Sequence, residues 1–477
     1  MGLTRRDFGM GAAALGVTLM AKRASAKVGR PKDVDVIILG AGMSGLNAAW
    51  LLEQQGLKVL LLEGRDRVGG RVFTLMDQPG YPEMGFNSMG EGYGRGIDAA
   101  KRAGVELENV APRFYGGPLQ ELYLDGKRIT REAWATAPIN PFPDRLKRTM
   151  PWEVINKMVS DHNRLADFNL WNDPSHAGLD ISLYSFLQAQ GLSDAAIQLA
   201  TVSPYYGTSG YDVSALMLEY NDGFIKGQMA VGPRSLAVKG GNIQLPKGMA
   251  ELLKGDILLG KEVVAIDNLA DKAEVRCADG SVYAAPRVIC SLPFSTLRNI
   301  AIRPGLNGPQ AMAVAELKYQ PISIAFLTVT QPFWDQDGLS PAMWTDDPMG
   351  VVMPQRFGAD PKQITGLMIQ ARGHLAQYWD RLGKEGALAF AVQRLETLRP
   401  AAKGKVKGAY LHSWTAERFN MGDISYFGPG QIAAFAPTIA NPTGRLHFCG
   451  EHTAVNARGL EGALESSERV AIEILSL

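Results

Sequence analysis

The residues best placed to do chemistry are glycines. Gly40-Ala41-Gly42-Met43-Ser44-Gly45 forms a GxGxxG pattern between the apolar run Asp35-Val36-Ile37-Ile38-Leu39 and a helix-patterned stretch from Leu46 to Gln55. A second apolar run, Val59-Leu60-Leu61-Leu62, ends in Glu63. In a strand–turn–helix–strand unit each of these residues has a task on a dinucleotide. Gly40 permits the tight turn, Gly42 lets the backbone approach a pyrophosphate, and Gly45 lets the helix pack close to the strand. The helix N-terminus offers free N–H groups and a positive dipole end to phosphates. Glu63 can accept hydrogen bonds from ribose hydroxyls and would repel a 2′-phosphate. The next residues, Gly64-Arg65-Asp66-Arg67-Val68-Gly69-Gly70-Arg71, add Arg65 and Arg71, which can neutralise a pyrophosphate, and the pair Gly69 and Gly70, which allows close passage of the backbone. Near the other end the chain reads Cys449-Gly450-Glu451-His452-Thr453 and closes on Gly459-Leu460-Glu461-Gly462-Ala463.

In order along the chain these segments resemble the flavin-containing amine oxidase family. Glu63–Arg71 is similar to its ExRxRxGGR segment, and Gly450-Glu451-His452-Thr453 with Gly462-Ala463 to its C-terminal flavin segment. Lys239-Gly240-Gly241-Asn242-Ile243-Gln244-Leu245-Pro246 resembles the GGxxxLP-type element, and Glu262-Val263-Val264-Ala265-Ile266 the strand whose first valine meets the adenine through its backbone. Val288–Pro293 and Gln331-Pro332-Phe333-Trp334 also fit. The resemblance implies an α/β fold: a discontinuous Rossmann-like FAD-binding domain plus an α+β substrate domain. It implies FAD held by Gly40, Gly42, Gly45, Glu63, Arg65, Gly69, Gly70, Arg71, Val263, Gly450, Glu451 and Leu460. The implied reaction oxidises a C–N bond of an amine or amino-acid-like substrate. A hydride equivalent passes from the α-carbon to flavin N5, and the imine hydrolyses to a carbonyl compound. An apolar pocket would favour the uncharged amine by desolvation, so no dedicated protein base is required.

The chain departs from the family pattern at three places. Many members carry a lysine on the strand before the Pro-Phe-Trp element, tied to oxygen reactivity; here that position falls at Ile324 or Ser323, and the nearest lysine is Lys318. This favours an acceptor other than O2, such as a periplasmic cytochrome or quinone. The two tyrosines that flank the amine in monoamine oxidases are also missing. The first position falls at Asp423 or Ile424, before Tyr426-Phe427-Gly428-Pro429-Gly430, and the second at Gly459. The expected substrate pocket is therefore Asp423, Ile424, Tyr426, Trp414, Arg458 and Gly459, suited to a bulkier or more polar substrate. Asp423 could pair with a distant cationic group and Arg458 with a carboxylate. Finally, Asn420-Met421-Gly422-Asp423 lacks the cysteine that attaches FAD covalently in monoamine oxidases, so non-covalent FAD is expected. A flavin desaturase acting on C–C bonds, or a flavin-binding protein without turnover, are the competing readings.

The elements that must position these residues follow from the pattern. The 477 residues suffice for two domains with sizeable cores. A net charge of +1 gives no footing for nucleic acid or an anionic surface. The cysteines (Cys277, Cys290, Cys449) are too scattered for a disulfide framework or metal site, and the histidines show no ligand spacing, so no metal is expected. His452 reads as a hydrogen-bonding structural histidine and Cys449 as a small buried residue. At the N-terminus Thr4-Arg5-Arg6-Asp7-Phe8 is a twin-arginine pattern, followed by a mild apolar run and Ala24-Ser25-Ala26. That run spans roughly 20 Å at ~1.5 Å per residue, short of a ~30 Å hydrocarbon core. Residues 1–26 thus read as an export signal cleaved after Ala26, giving a periplasmic protein without a stable membrane span. The FAD domain is assigned to 33–110, 236–300 and 440–477, and the substrate domain to 111–235 and 301–439. Expected helices include Trp152–Leu170, Leu183–Leu199, Ala387–Leu398 and Leu460–Ile474; expected strands include Ala273–Cys277, Val282–Val288, Ile322–Val329 and Gly366–Gln370. A homodimer is the default assembly. Most of the aromatic residues in the insertions are expected to be ordinary core.

Overall fold

In the computed structural model the described residues are 34–114, 119–358, 360 and 362–477. The expected export segment 1–26 lies outside them. Strands β1 (Val36–Leu39) and β2 (Val59–Leu62) are buried at every position. Such unbroken apolar runs suit a parallel sheet covered on both faces. They lie at the centre of a five-stranded parallel sheet in the order Leu446–Phe448, Arg287–Cys290, β1, β2, Ile257–Leu258. Its strands come from three widely separated stretches of chain. Alternation sorts the side chains: Val36, Ile38, Val59 and Leu61 join one core cluster, Ile37, Leu39, Leu60 and Leu62 another.

Helix α1 (Met43–Gln54) starts directly after the glycine turn, earlier than the expected Leu46, with Gly42 as N-cap. It packs on the C-terminal helix Gly459–Leu475, and Asn47 Nδ2 donates to Ser467 Oγ at 2.8 Å between them. The fold thereby brings the two ends of the described chain together beneath one sheet face.

The expected strand Val282–Val288 is two strands. Val282–Ala285 pairs antiparallel with Ala273–Cys277, whereas Arg287–Cys290 joins the parallel sheet. Pro286 separates them; without an N–H it cannot continue a ladder. Two expected helices are also broken. Pro151–Asp161 ends well before the 3-10 turn Phe168–Leu170, because Asn163 and Asp167 accept from the backbone N–H groups of Leu165 and Asn169. Leu183–Ala189 and Asp194–Ala200 are split at Gly191 (φ 79°), with Ser193 capping the second.

The other large layer is a seven-stranded sheet ordered Val406–Ser413, Ile322–Val329, Gly366–Arg372, Val351–Gln355, Met343–Thr345, Glu121–Leu124, Lys127–Ile129. The last two form a hairpin. Helix His374–Leu398, longer than the expected Ala387–Leu398 and interrupted at Gly383, covers one face. Ala325 and Leu327 pack toward that helix with Trp379, Ala387 and Ala391; Ile322, Ile324 and Phe326 join Met84, Met368 and Trp414 on the other face. No helix among the described residues is long and apolar enough to cross a membrane.

Candidate active site

A cavity of about 800 Å³ runs between the parallel sheet and the segment 415–424 that follows the last strand of the seven-stranded layer. It falls within the roughly 300–1,000 Å³ of cofactor and ligand pockets. Its floor is the glycine turn and the start of α1, with Gly40, Gly42, Met43 and Ser44 in the wall. The helix has no side-chain cap at this end, so its first amides remain available to an anion. Gly45 lies behind the wall, where a Cβ would stand 2.0 Å from the Gly40 carbonyl oxygen. Gly69 (φ 101°) and Gly70 (φ 55°) continue the floor in a backbone form that favours glycine.

Glu63 faces the cavity at the end of β2. Its Oε2 accepts from the Ala41 N–H (2.8 Å) and its Oε1 from the Arg65 N–H (2.9 Å). Each oxygen keeps lone-pair capacity for a hydroxyl. Val263 lines the same end.

The two arginines expected to neutralise a pyrophosphate are already engaged. Arg65 reaches Glu63 (3.6 Å), Glu417 (3.4 Å) and Asn420 Oδ1. Arg71 Nη1 donates to Glu451 Oε1 at 3.0 Å and to the Asp423 carbonyl. Positive potential at the glycine turn therefore comes chiefly from the helix terminus. Glu451 also accepts from Ser425 N–H and Ser425 Oγ–H, both at 2.9 Å. Burial works against its charge, but Arg71 and Arg458 hold the carboxyl below the usual carboxylate range. Arg71 is correspondingly held above the ordinary guanidinium value: burial opposes its charge, and Glu451, Tyr319 and Asp423 outweigh burial.

Of the expected pocket residues, Asp423, Ile424 and Gly459 line the cavity together with Gly450, Glu451 and Leu460. The Asp423 carboxylate has no hydrogen-bond partner among the described residues, and burial pushes it up to about 6. At Gly459 (φ 56°) a Cβ would meet nothing within 4 Å, so the space an aromatic ring would fill is open. Tyr426, Trp414 and Arg458 are elsewhere. Tyr426 is buried, and its hydroxyl donates to Asp212 Oδ2 at 3.0 Å. Trp414 is fully buried and donates from Nε1 to the Met84 carbonyl at 2.7 Å. Arg458 donates to the Ser425 carbonyl at 3.0 Å and lies 5.3 Å from the Tyr206 ring, so it is not free for a substrate carboxylate. Strand alternation explains the first case: Ser425 turns to Glu451, which sends Tyr426 to the opposite side.

Alternation also separates Ile324 from Ser323. Ser323 points at helix His374–Leu398 and donates to Asp380 Oδ1 at 3.1 Å; Ile324 packs with Trp414 and Met84. Lys318 donates to the Asp212 carbonyl at 3.2 Å. His452 makes no hydrogen bond from either ring nitrogen among the described residues, contrary to expectation. It packs 4.3 Å from the Phe294 ring centroid, and burial pushes it down to about 4, so it is a neutral filler. Cys449 is fully buried, and burial raises its thiol to about 12. Among the described residues no His, Cys, Asp and Glu cluster could hold a metal.

Sequence reasoning missed a buried network behind the wall. Glu83 accepts from Thr74 Oγ1–H and Asn242 N–H, both at 2.7 Å. The Asn242 amide donates in turn to the carbonyls of Phe86 and Asn87, which line the cavity. Burial pushes the Glu83 carboxyl from 4.5 up to about 8. The folded state thus holds a proton that the unfolded chain releases near its ordinary value. Its stabilising contribution is full below that value and is lost as pH rises through about 8. Thermal melting should show wild-type stability falling through this range more steeply than in Glu83→Gln; parallel curves would refute the assignment.

A family model described as flavin containing amine oxidoreductase matches residues 43–475. Human amine oxidase [flavin-containing] B is 26% identical over 481 residues, covering 92% of this chain and 86% of its own. The L-amino-acid oxidase of Demansia vestigiata is 25% identical over 459 residues, with the same coverage of 92% and 86%. Among solved structures, cyclohexylamine oxidase from Brevibacterium oxydans IH-35A aligns with a TM-score of 0.71 at 22% identity, covering 93% of this chain and 99% of that one. Wild-type putrescine oxidase bound to putrescine aligns with a TM-score of 0.72 at 22% identity, covering 94% and 100%. At this identity the structural likenesses show the fold.

Proposed function

The chain belongs to the flavin-containing amine oxidoreductase family, and on that premise we propose that this flavoenzyme uses non-covalent FAD to oxidise a C–N bond of an amine or amino-acid-like substrate. One observation carries the reading: a single cavity joins the glycine turn, Glu63 and Gly450–Glu451 to Asp423 and Ile424 of the loop after strand Val406–Ser413 and to Gly459 at the start of the C-terminal helix. The residues present fit the cofactor. The open helix terminus suits a pyrophosphate, the spare lone pairs of Glu63 suit ribose hydroxyls, and Val263 stands beside it for the adenine. Bound there, FAD would supply the hydride acceptor at its N5 atom. The chain's own residues bind, orient and exclude water. Ile424 and Leu460 desolvate an incoming amine and so favour its uncharged form. Among the described residues no cysteine lines the cavity, which supports non-covalent binding.

Electrons leave, on this reading, to a periplasmic cytochrome or quinone rather than chiefly to O2, because neither Ile324 nor Ser323 supplies the lysine associated with oxygen reactivity. Periplasmic residence rests on Arg5-Arg6 and Ala24-Ser25-Ala26; cell fractionation of an Arg5→Lys/Arg6→Lys variant should find it retained in the cytoplasm, and normal export would refute the assignment.

The test of function is the flavin absorbance of the mature protein mixed anaerobically with a panel of amines and amino acids. Bleaching by an amine is the expected result, with slow recovery on admitting air. Retained flavin that no amine bleaches would overturn amine oxidation and move the reading to desaturation of a C–C bond.

A further inference from the structure

We propose that the loop 415–421 is a retaining strap for the adenosine end of the bound cofactor, latched by Phe419 and Arg418; the inference rests on the FAD reading above. The loop leaves the seven-stranded layer after strand Val406–Ser413 and runs on to Ser425–Tyr426, which pairs with Lys318–Tyr319 in a sheet of two strands. Its neck is closed by Gly422 N–H donating to the Trp414 carbonyl at 2.7 Å, and Asp423 N–H to the Gln320 carbonyl at 2.9 Å anchors its far end. Between these points it crosses the cavity. Thr415, Ala416, Arg418, Phe419, Asn420 and Met421 all line the wall.

The tip fastens onto the nucleotide side. The Phe419 ring lies so close over Gly64 that a Cβ there would stand 2.5 Å from it. Guanidinium groups flank the ring, with Arg65 5.2 Å and Arg418 4.9 Å from its centroid. Arg418 pairs with Glu262, the residue before Val263. Arg65 adds the contacts to Glu417 and Asn420 Oδ1 beneath. All of these contacts lie beside Glu63, the ribose acceptor.

The outer latch is built to open. The Arg418 side chain is 63% exposed and Glu262 33% exposed, so their attraction is weak and screened by salt. At the neck Met421 (φ 52°) and Gly422 (φ 139°) hold left-handed backbone. With no covalent link, the release rate of the dinucleotide is then set by how often the strap lifts.

The test follows flavin fluorescence on dilution of the holoenzyme, which reads release without turnover. Phe419→Ala should release flavin about tenfold faster, from loss of a ring held by two cations. Arg418→Glu should release it about fivefold faster, and Arg418→Glu/Glu262→Arg should return toward the wild-type rate. Arg418 is exposed, so the charge variants fold even if Phe419→Ala does not. Flavin-loaded variants that all release at the wild-type rate would overturn the strap alone. Wild-type protein that carries no flavin would overturn the FAD reading and the strap with it.

Discussion

Gly45→Val yields a protein that is poorly folded and free of flavin, whereas Gly42→Val yields one that folds normally and holds flavin more than about tenfold less tightly. The two glycines sit in one turn, yet the structure assigns them different duties. A Cβ at Gly45 would stand 2.0 Å from the Gly40 carbonyl oxygen and 2.9 Å from Ser291 Oγ. Ser291 Oγ–H donates to the Leu39 carbonyl at 2.6 Å and lies 3.0 Å from the Gly40 carbonyl, so it is held in place as well. The start of α1 would have to lift from β1, at an overpacking cost of about 1–3 kcal/mol or more. At Gly42 a Cβ meets no protein atom within 4 Å, and its φ of −77° suits any residue. Nothing in the protein requires glycine there, so the requirement comes from whatever occupies the cavity. Urea titration reads the first effect and flavin absorbance after gel filtration the second. Equal stability losses in both variants would show that Gly42 is structural and would remove it from the binding surface.

The parts of this site legible in the sequence are those whose partners are close in the chain. The glycine turn, the apolar run of β2 and the acid that ends it lie within 24 residues of one another, from Gly40 to Glu63. Strand Ile322–Val329 has the bounds its apolar run implied. The family spacing led to Asp423, Ile424 and Gly459, which line the cavity. What stayed hidden depends on long-range partners. Arg65 and Arg71 read as free cations because Asn420 and Glu451 are 355 and 380 residues away. Tyr426 read as a pocket aromatic because a sequence does not say which face of a two-residue strand looks inward, and Trp414 because its partner, the Met84 carbonyl, is 330 residues away. The Glu83 network left no signal beyond a single acid before Met84, and the 415–421 loop none beyond its place between two family elements. The mixed α/β architecture was readable, whereas the breaks at Pro286 and Gly191 were overridden by the apolar periodicity on either side.

Glu451→Ala should destabilise the protein by about 2–3 kcal/mol, less than the full cost of unpairing a buried charge, because Arg71 is partly exposed and keeps the Asp423 carbonyl. Glu451 has three donors: Arg71 Nη1 at 3.0 Å, and Ser425 N–H and Oγ–H at 2.9 Å. Truncation strands all of them in a site where the Glu451 side chain is 5% exposed and the Arg71 side chain 22%. The loss is not local. Arg71 belongs to the glycine-rich segment after β2, Ser425 to the two-residue strand Ser425–Tyr426 and Glu451 to the segment before the C-terminal helix, so one carboxylate ties together three separate stretches at the cavity. Glu451→Gln keeps the shape and one acceptor oxygen but sets an amide NH2 against a donor, so it should fall between alanine and wild type. The pH dependence carries a sign. The folded-state pKa of Glu451 is depressed, so its contribution is present above the ordinary carboxyl value and disappears as pH falls through the depressed one. Denaturation curves of wild type and Glu451→Gln should therefore converge in acid and stand apart at neutral pH. A neutral-pH difference below about 1 kcal/mol for Glu451→Ala would mean that Arg71 finds another partner, and the joint would then belong to Arg71 and the Asp423 carbonyl instead.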